Sequence, residues 1–152
     1  MSLANIFDVA GTAMSAQSIR LNTVASNIAN ADSVSSSTGE TYRARHPVFS
    51  VIRERAGQGA FGSGFGGDFN SMTGAAGYGV KVDGIIESQG ELRQKYQPDH
   101  PEANEQGYVS YPNVDVVSEM ADMISASRAY QTNVEIMNTA KQMLQRVLTL
   151  GQ

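Results

Sequence analysis

Cysteine is absent from this chain, and so is tryptophan. The first absence removes disulfides, thiolate metal sites and cysteine nucleophiles together. It suits an oxidising destination, where a stray thiol is a liability. Aromatic residues make up only 7% of the sequence, so any large core must come from aliphatic side chains, and these cluster toward the two ends. Basic blocks are missing as well. With a net charge of -4 and no polybasic arm, nucleic acid is not an expected partner. No apolar run approaches the roughly 20 residues that span a bilayer. Met1 to Ala10 holds neither Lys nor Arg, and Asp8 interrupts its apolar residues. That is not the pattern of a cleaved secretory signal, so export is expected to need no cleaved signal.

What the chain does have is a similar apolar seam at each end. Leu3, Phe7, Ala10, Met14, Gln17, Leu21, Val24, Ile28 and Ala31 alternate in steps of four and three. Val116, Met120, Met123, Ser127, Tyr130, Val134, Met137, Lys141, Leu144 and Leu148 do the same. Such a heptad stripe is buried only against another helix. The spacing predicts a helix from Leu3 to about Ala31, with Ser2 as its N-cap and Asn30 or Asp32 at its end. A second helix is predicted from an Asp115 N-cap, with Glu119 and Asp122 early and Lys141 and Arg146 late, the charge order a helix dipole favours. The two helices are expected to pair as a coiled coil. Further apolar residues at Val117, Ile124, Ile136, Met143 and Val147 lie off the seam. More than one sticky face points to packing against several neighbours.

Between the helices the character changes. Ser33 to Gly39 reads as a loop. Tyr42 to Arg45 alternates and Val48 to Ile52 is β-branched, which predicts one or two strands broken at Pro47. Gly57 to Gly79 is rich in Gly, with Phe61, Phe65, Phe69 and Tyr78 spaced through it, and predicts an irregular insertion. Val80 to Ile86 and Tyr108 to Tyr111 return to strand character, with Gly84 and Gly90 as turn or bulge positions. The expected fold is therefore mainly α with a small β module. Its expected parts are an N-terminal helix (1–32), a β-rich middle (33–112) with the glycine-rich insertion 57–79, and a C-terminal helix (113–152).

Catalysis finds no foothold. Two GxGxxG matches, Gly57 to Gly62 and Gly62 to Gly67, are not followed by the helix that would receive a pyrophosphate. His46 and His100 each sit next to proline in turn-like sequence, with no second ligand one helical turn away. Glu102 and Glu105 lie in a solvated loop, and no serine stands in a nucleophile elbow. No catalytic residue, metal, cofactor or small-molecule substrate is expected.

The segment from Ala13 to Ala31, with Asn27-Ile28-Ala29-Asn30 as its most distinctive part, resembles the N-terminal signature of bacterial flagellar rod and hook proteins. Val114 to Asn133, which includes Ser127-Arg128-Ala129-Tyr130, resembles the matching C-terminal signature. Tyr96 to Pro101 with Gly107 to Val109, and the ending from Asn138 to Gln152, are similar to the proximal-rod members of that family. The resemblance implies a structural subunit of the flagellar basal body, in the hollow rod that crosses the periplasm and drives the hook. It also implies export through the flagellar type III apparatus and contact with copies of itself, other rod proteins, and the membrane ring and adaptor at the rod base. A different axial or secreted coiled-coil component of a type III system is the alternative. Seams and resemblance together single out as the expected assembly interface Leu3, Phe7, Met14, Leu21, Val24, Asn27, Ile28, Asn30, Val116, Met120, Met123, Ile124, Tyr130, Val134, Met137, Leu144 and Leu148. The Ser33 to Gly39 loop and the Gly57 to Gly79 tract have no counterpart in the shared family pattern.

Overall fold

A computed structural model describes residues 3–34, 40–52 and 79–150. Two helices bracket the chain, α1 (Leu3–Ala29) and α2 (Val116–Leu150), with strands β1 (Arg45–Ile52), β2 (Gly79–Glu87), β3 (Arg93–Tyr96) and β4 (Tyr108–Tyr111) between them. The fold is mainly helical with a small β module, as the sequence pattern implies. Most of the glycine-rich tract, and the Ser2 cap, lie outside the described residues.

α2 holds neither Gly nor Pro across its 35 residues, so nothing interrupts a rod about 52 Å long. Asp115 caps it. Its Oδ1 accepts the Val117 N–H at 3.2 Å, and its carbonyl accepts the Glu119 N–H at 2.9 Å. α1 is closed by Asn30, whose Nδ2 donates to the Ser26 carbonyl at 2.8 Å. The same carbonyl also accepts the Asn30 backbone N–H at 3.1 Å, so side chain and backbone of one residue close the last turn.

The helices run antiparallel. Arg20 meets Asp122 at 2.7 Å, Asn27 meets Glu119 at 3.0 Å, and Ile6 shares a cleft with Ile136, Ala140 and Met143. Small side chains fill the contact: Ala10, Ala16, Ala126 and Ala140 are buried, with Val24. Alanines let two backbones approach closely, but each buried methyl contributes only about 0.8 kcal/mol, against roughly 1.5–3 for a buried Leu or Ile. Other large apolar residues of α2, Val117, Met120, Ile124, Met143 and Val147 among them, stay exposed.

β1 and β2 form an antiparallel ribbon, and β3 and β4 a second one. β1 runs unbroken through Pro47, which pairs with Ile85, so the expected break at Pro47 is not found. The reason is register. Arg45, two residues earlier, turns its N–H and C=O away from β2, and positions two apart in a strand point the same way. The N–H that proline lacks is thus one the ribbon never uses. Val48 pairs with Gly84 and Phe49 with Val82, leaving Asp83 as the extra residue of a bulge beside Gly84. In the second ribbon, Tyr96 and Tyr108 pair edge to face with ring centres 5.4 Å apart. Gly107 just before Tyr108 has φ +81°, a left-handed conformation that turns the loop back into β4.

Candidate assembly interface

The root of the helical hairpin is held by one buried side chain. Asn27 is fully buried. Its Nδ2 donates to the Arg45 carbonyl at 2.8 Å and to Glu119 Oε1 at 3.0 Å. Its Oδ1 accepts from the Arg45 N–H at 2.9 Å and from the Tyr42 hydroxyl at 2.8 Å. All four hydrogen-bonding positions of the amide are used. A second asparagine continues the pattern: Asn113 Oδ1 accepts the Ala44 N–H at 2.9 Å, while its Nδ2 donates to Ser88 Oγ and the Gly90 carbonyl. The Ser88 N–H donates to the Ala44 carbonyl at 2.7 Å. The four backbone groups of Ala44 and Arg45 are therefore satisfied by two asparagine side chains and one strand neighbour. Around them Ala31, Ala44 and Val114 form a small apolar cluster with Tyr42 and Val116 packed against it.

Charge at this junction is matched on one side only. Arg45 reaches across to Glu87 at 2.8 Å and lies over the Tyr42 ring. Glu119 is buried, and its Oε2 has no hydrogen-bond partner among the described residues. On the ribbon, the Lys81 ammonium, 2.8 Å from Asp83, holds that carboxyl below the usual aspartate value. His100 accepts the Glu102 N–H at its Nδ1, so it shapes the loop between β3 and β4. Among the described residues no three acidic or histidine side chains gather as a metal set.

The residues singled out as an interface fall into three groups. Val24 and Asn27 are buried, while Phe7, Met14, Leu21, Ile28 and Asn30 on α1 are half-buried. On α2, Val116, Met123, Val134, Met137 and Leu144 are half-buried. Met120, Ile124, Tyr130 and Leu148 are exposed, and the side chain of Leu3 lies outside the described residues. The stripe of α2 that α1 covers keeps Met123, Met137 and Leu144 but passes through Glu119, Ala126 and Ala140, each one position before Met120, Ser127 and Lys141. This small rotation turns Met120 outward, 51% exposed, beside Val117 at 76%. Sequence reasoning missed Tyr42, Ala44 and Asn113 as parts of the junction. The only signal was an asparagine set between Pro112 and Val114, a polar residue in apolar company.

Comparison with known proteins gives the same picture at both ends. Residues 7–35 match a family model described as "Flagella basal body rod protein", and residues 105–150 match one described as "Flagellar basal body rod FlgEFG protein C-terminal". The chain is 50% identical over 152 residues to the flagellar basal-body rod protein FlgC of Escherichia coli O6:H1, covering all of both chains. It is 48% identical to the FlgC of Salmonella typhimurium, again over the full length of each. The FlgC of Bacillus subtilis is 36% identical over 157 residues, with both chains fully covered.

Proposed function

From the premise that this chain belongs to the flagellar basal-body rod protein family, as a structural subunit and not an enzyme, we propose how it builds the rod. It assembles with other rod components in the basal body. The two terminal segments, 1–32 and 113–152, are the assembly elements, and the middle, 33–112, is carried as a separate β module. In the polymer the helices of neighbouring subunits pack as coiled coils around the axis of a hollow proximal rod. The subunit reaches the periplasm through the type III apparatus without a cleaved signal, and the membrane ring and adaptor bound the rod at its base.

One observation carries this reading. α2 shows solvent a series of large apolar side chains, among them Val117, Met120, Ile124, Met143, Val147 and Leu148. Single exposed apolar residues are ordinary, but a 35-residue helix carrying this many at both its ends is not finished as a monomer. The expected interface residues of α1 and α2 then act in two ways: the half-buried ones close the hairpin, and the exposed ones meet neighbours.

The test is Met120→Lys, introduced at the natural locus. Circular dichroism of the purified variant should match the parent, because the side chain already stands in water. Basal bodies from that strain should lack the protein on blotting, and swimming should be lost. Normal swimming would refute the assignment of this face to assembly.

A further inference from the structure

The two β ribbons are held in different ways. The first packs on α1 through both of its strands and is pinned there at both ends. At one end Asn27 closes on Arg45. At the other, Thr12 Oγ1 accepts the Val80 N–H at 3.2 Å, and a Cβ on Gly79 would come within 2.5 Å of that oxygen. Thr12 and Asn27 stand about 22 Å apart along the helix, so two distant pins make one body of α1 and the first ribbon. The second ribbon is firm within and thinly joined. β3 and β4 contact each other and no other helix or strand among the described residues. Asn104 does for Tyr108 what Asn27 does for Arg45. Its Oδ1 accepts the Tyr108 N–H at 2.9 Å, and its backbone N–H donates to the Tyr108 carbonyl at 2.9 Å. The Gln97 N–H donates to the Gly107 carbonyl at 2.8 Å, and the Tyr111 hydroxyl to Gln97 Oε1 at 2.8 Å. From Arg93 to Tyr111, the hydrogen bond that leaves this unit among the described residues is Arg93 Nη1 to the Val114 carbonyl, long at 3.4 Å.

Two short connections, 88–92 and 112–115, form the joint, and polar bonds hold it. Arg43 Nη1 donates to the Ser88 carbonyl at 3.2 Å and to the Gly90 carbonyl at 3.1 Å. Asn113, in the other connection, donates to Ser88 Oγ at 3.0 Å and to the same Gly90 carbonyl at 3.2 Å. Arg43 forms no ion pair among the described residues, so its guanidinium is committed to this turn. Both bonds to Gly90 are exposed, where a hydrogen bond exchanges readily for one to water. The apolar cluster beside the joint, Ala31, Ala44 and Val114, includes no residue of β3 or β4. Bodies joined in this way turn on one another unless a large apolar interface fixes them.

We infer that the second ribbon is a rigid arm hinged at these connections, and that Arg43 is the latch that holds it at one angle. With the latch open, the arm swings while the helices and the first ribbon keep their places. In a shaft whose subunits meet unlike neighbours, such an arm follows a neighbour without disturbing the helical packing. That use rests on the rod reading; the hinge itself is read on the free chain and stands or falls without it. The native chain has no cysteine, so two introduced cysteines carry spin labels without background. Double electron–electron resonance on the purified full-length chain compares two pairs at exposed positions. Glu102→Cys with Ser125→Cys spans the arm and α2, and His46→Cys with Ser125→Cys spans the first ribbon and α2. In the parent both pairs should show one dominant distance. Arg43→Met keeps the stem and removes the donors, and should widen the arm distribution about twofold or more while leaving the ribbon pair unchanged. Ser88→Ala removes the Oγ that Asn113 holds and should widen it to a smaller extent. Helical circular dichroism of each variant should match the parent; if Arg43→Met loses it, Ser88→Ala decides by the same readings. An arm distribution unmoved in the folded variants would overturn the latch, and with a narrow parent distribution the hinge as well. Equal widening of both pairs would overturn the division into two bodies.

Discussion

Asn27 and Arg45 bond to each other as two strands do: the Asn27 amide donates to the Arg45 carbonyl at 2.8 Å and accepts the Arg45 N–H at 2.9 Å. A helix side chain thereby takes the place of a β neighbour and fixes where the ribbon leaves the hairpin. Asn27→Ala strips partners from both Arg45 backbone groups and from Glu119 and Tyr42. Each buried group left unsatisfied costs about 1–3 kcal/mol, so a total loss of about 4 kcal/mol or more is expected. Asn27→Asp keeps the shape but removes both donors and sets a carboxylate against Glu119, so it should destabilise at least as much at neutral pH. Urea unfolding followed by helical circular dichroism checks both; an unchanged midpoint in either variant would contradict the role given to Asn27.

Glu119 answers differently to a conservative change. One oxygen accepts from Asn27 and the other has no partner among the described residues. Glu119→Gln keeps the first contact and removes the buried charge, so stability should stay within about 1 kcal/mol or rise. Glu119→Ala leaves an Asn27 N–H without an acceptor and should cost about 1–3 kcal/mol. The difference between the two unfolding midpoints is the measurement, and a Gln variant as damaged as the Ala variant would show that the charge itself matters.

Gly107 is closed to a side chain on two counts. Its φ is +81°, and a Cβ there would come within 2.8 Å of Tyr96 Cε2. Gly107→Ala should cost about 1–2 kcal/mol from the left-handed conformation, plus the displacement of the Tyr96 ring. Since Tyr96 and Tyr108 pair beside it, the damage should be local. Faster protease cleavage between Gln97 and Gly107, with hydrogen exchange in α1 and α2 unchanged, is the expected outcome.

Both helices were legible because the heptad stripe is a local period and Asp115 is a local cap. The bulge was half legible: Gly84 stands next to it, but Asp83, the extra residue, carries no signature. Pro47 misled because its tolerance depends on which edge of β1 faces β2, a fact that lies in the pairing with Ile85. Glu119 reads naturally as a dipole-complementing surface charge at the start of a helix, yet it is buried because Asn27, distant in sequence, needs an acceptor. Asn113 gave no sign of its bond to Ala44 for the same reason. Alanines at 126 and 140 are weak hydrophobic signals, so the true contact stripe lay one residue away from the more apolar one.

Acid should report on the ribbon through Asp83. Its carboxyl titrates below the ordinary aspartate value of 3.8 because Lys81 bonds it. A lowered folded-state value means that the stabilisation is present above the unfolded value and is lost as pH falls through the lowered one. Lys81→Met should therefore move the Asp83 titration upward in carbonyl NMR and remove that acid-sensitive step. Asp83 is exposed, so the effect on global stability should be small.

Ala126 and Val117 lie nine positions apart on one helix and should fail in opposite ways. Ala126 is fully buried between α1 and α2, so Ala126→Leu forces extra methyl groups into a closed contact and should cost about 1–3 kcal/mol. Val117 stands in solvent, so Val117→Lys should leave the unfolding midpoint within about 0.5 kcal/mol yet keep the subunit out of purified basal bodies. Thermal unfolding and blotting of the particles separate the two effects. The reverse pattern, with Val117→Lys assembling and a stable Ala126→Leu excluded, would mean that α2 works through the face α1 covers. The hairpin would then have to open before the subunit joins the rod.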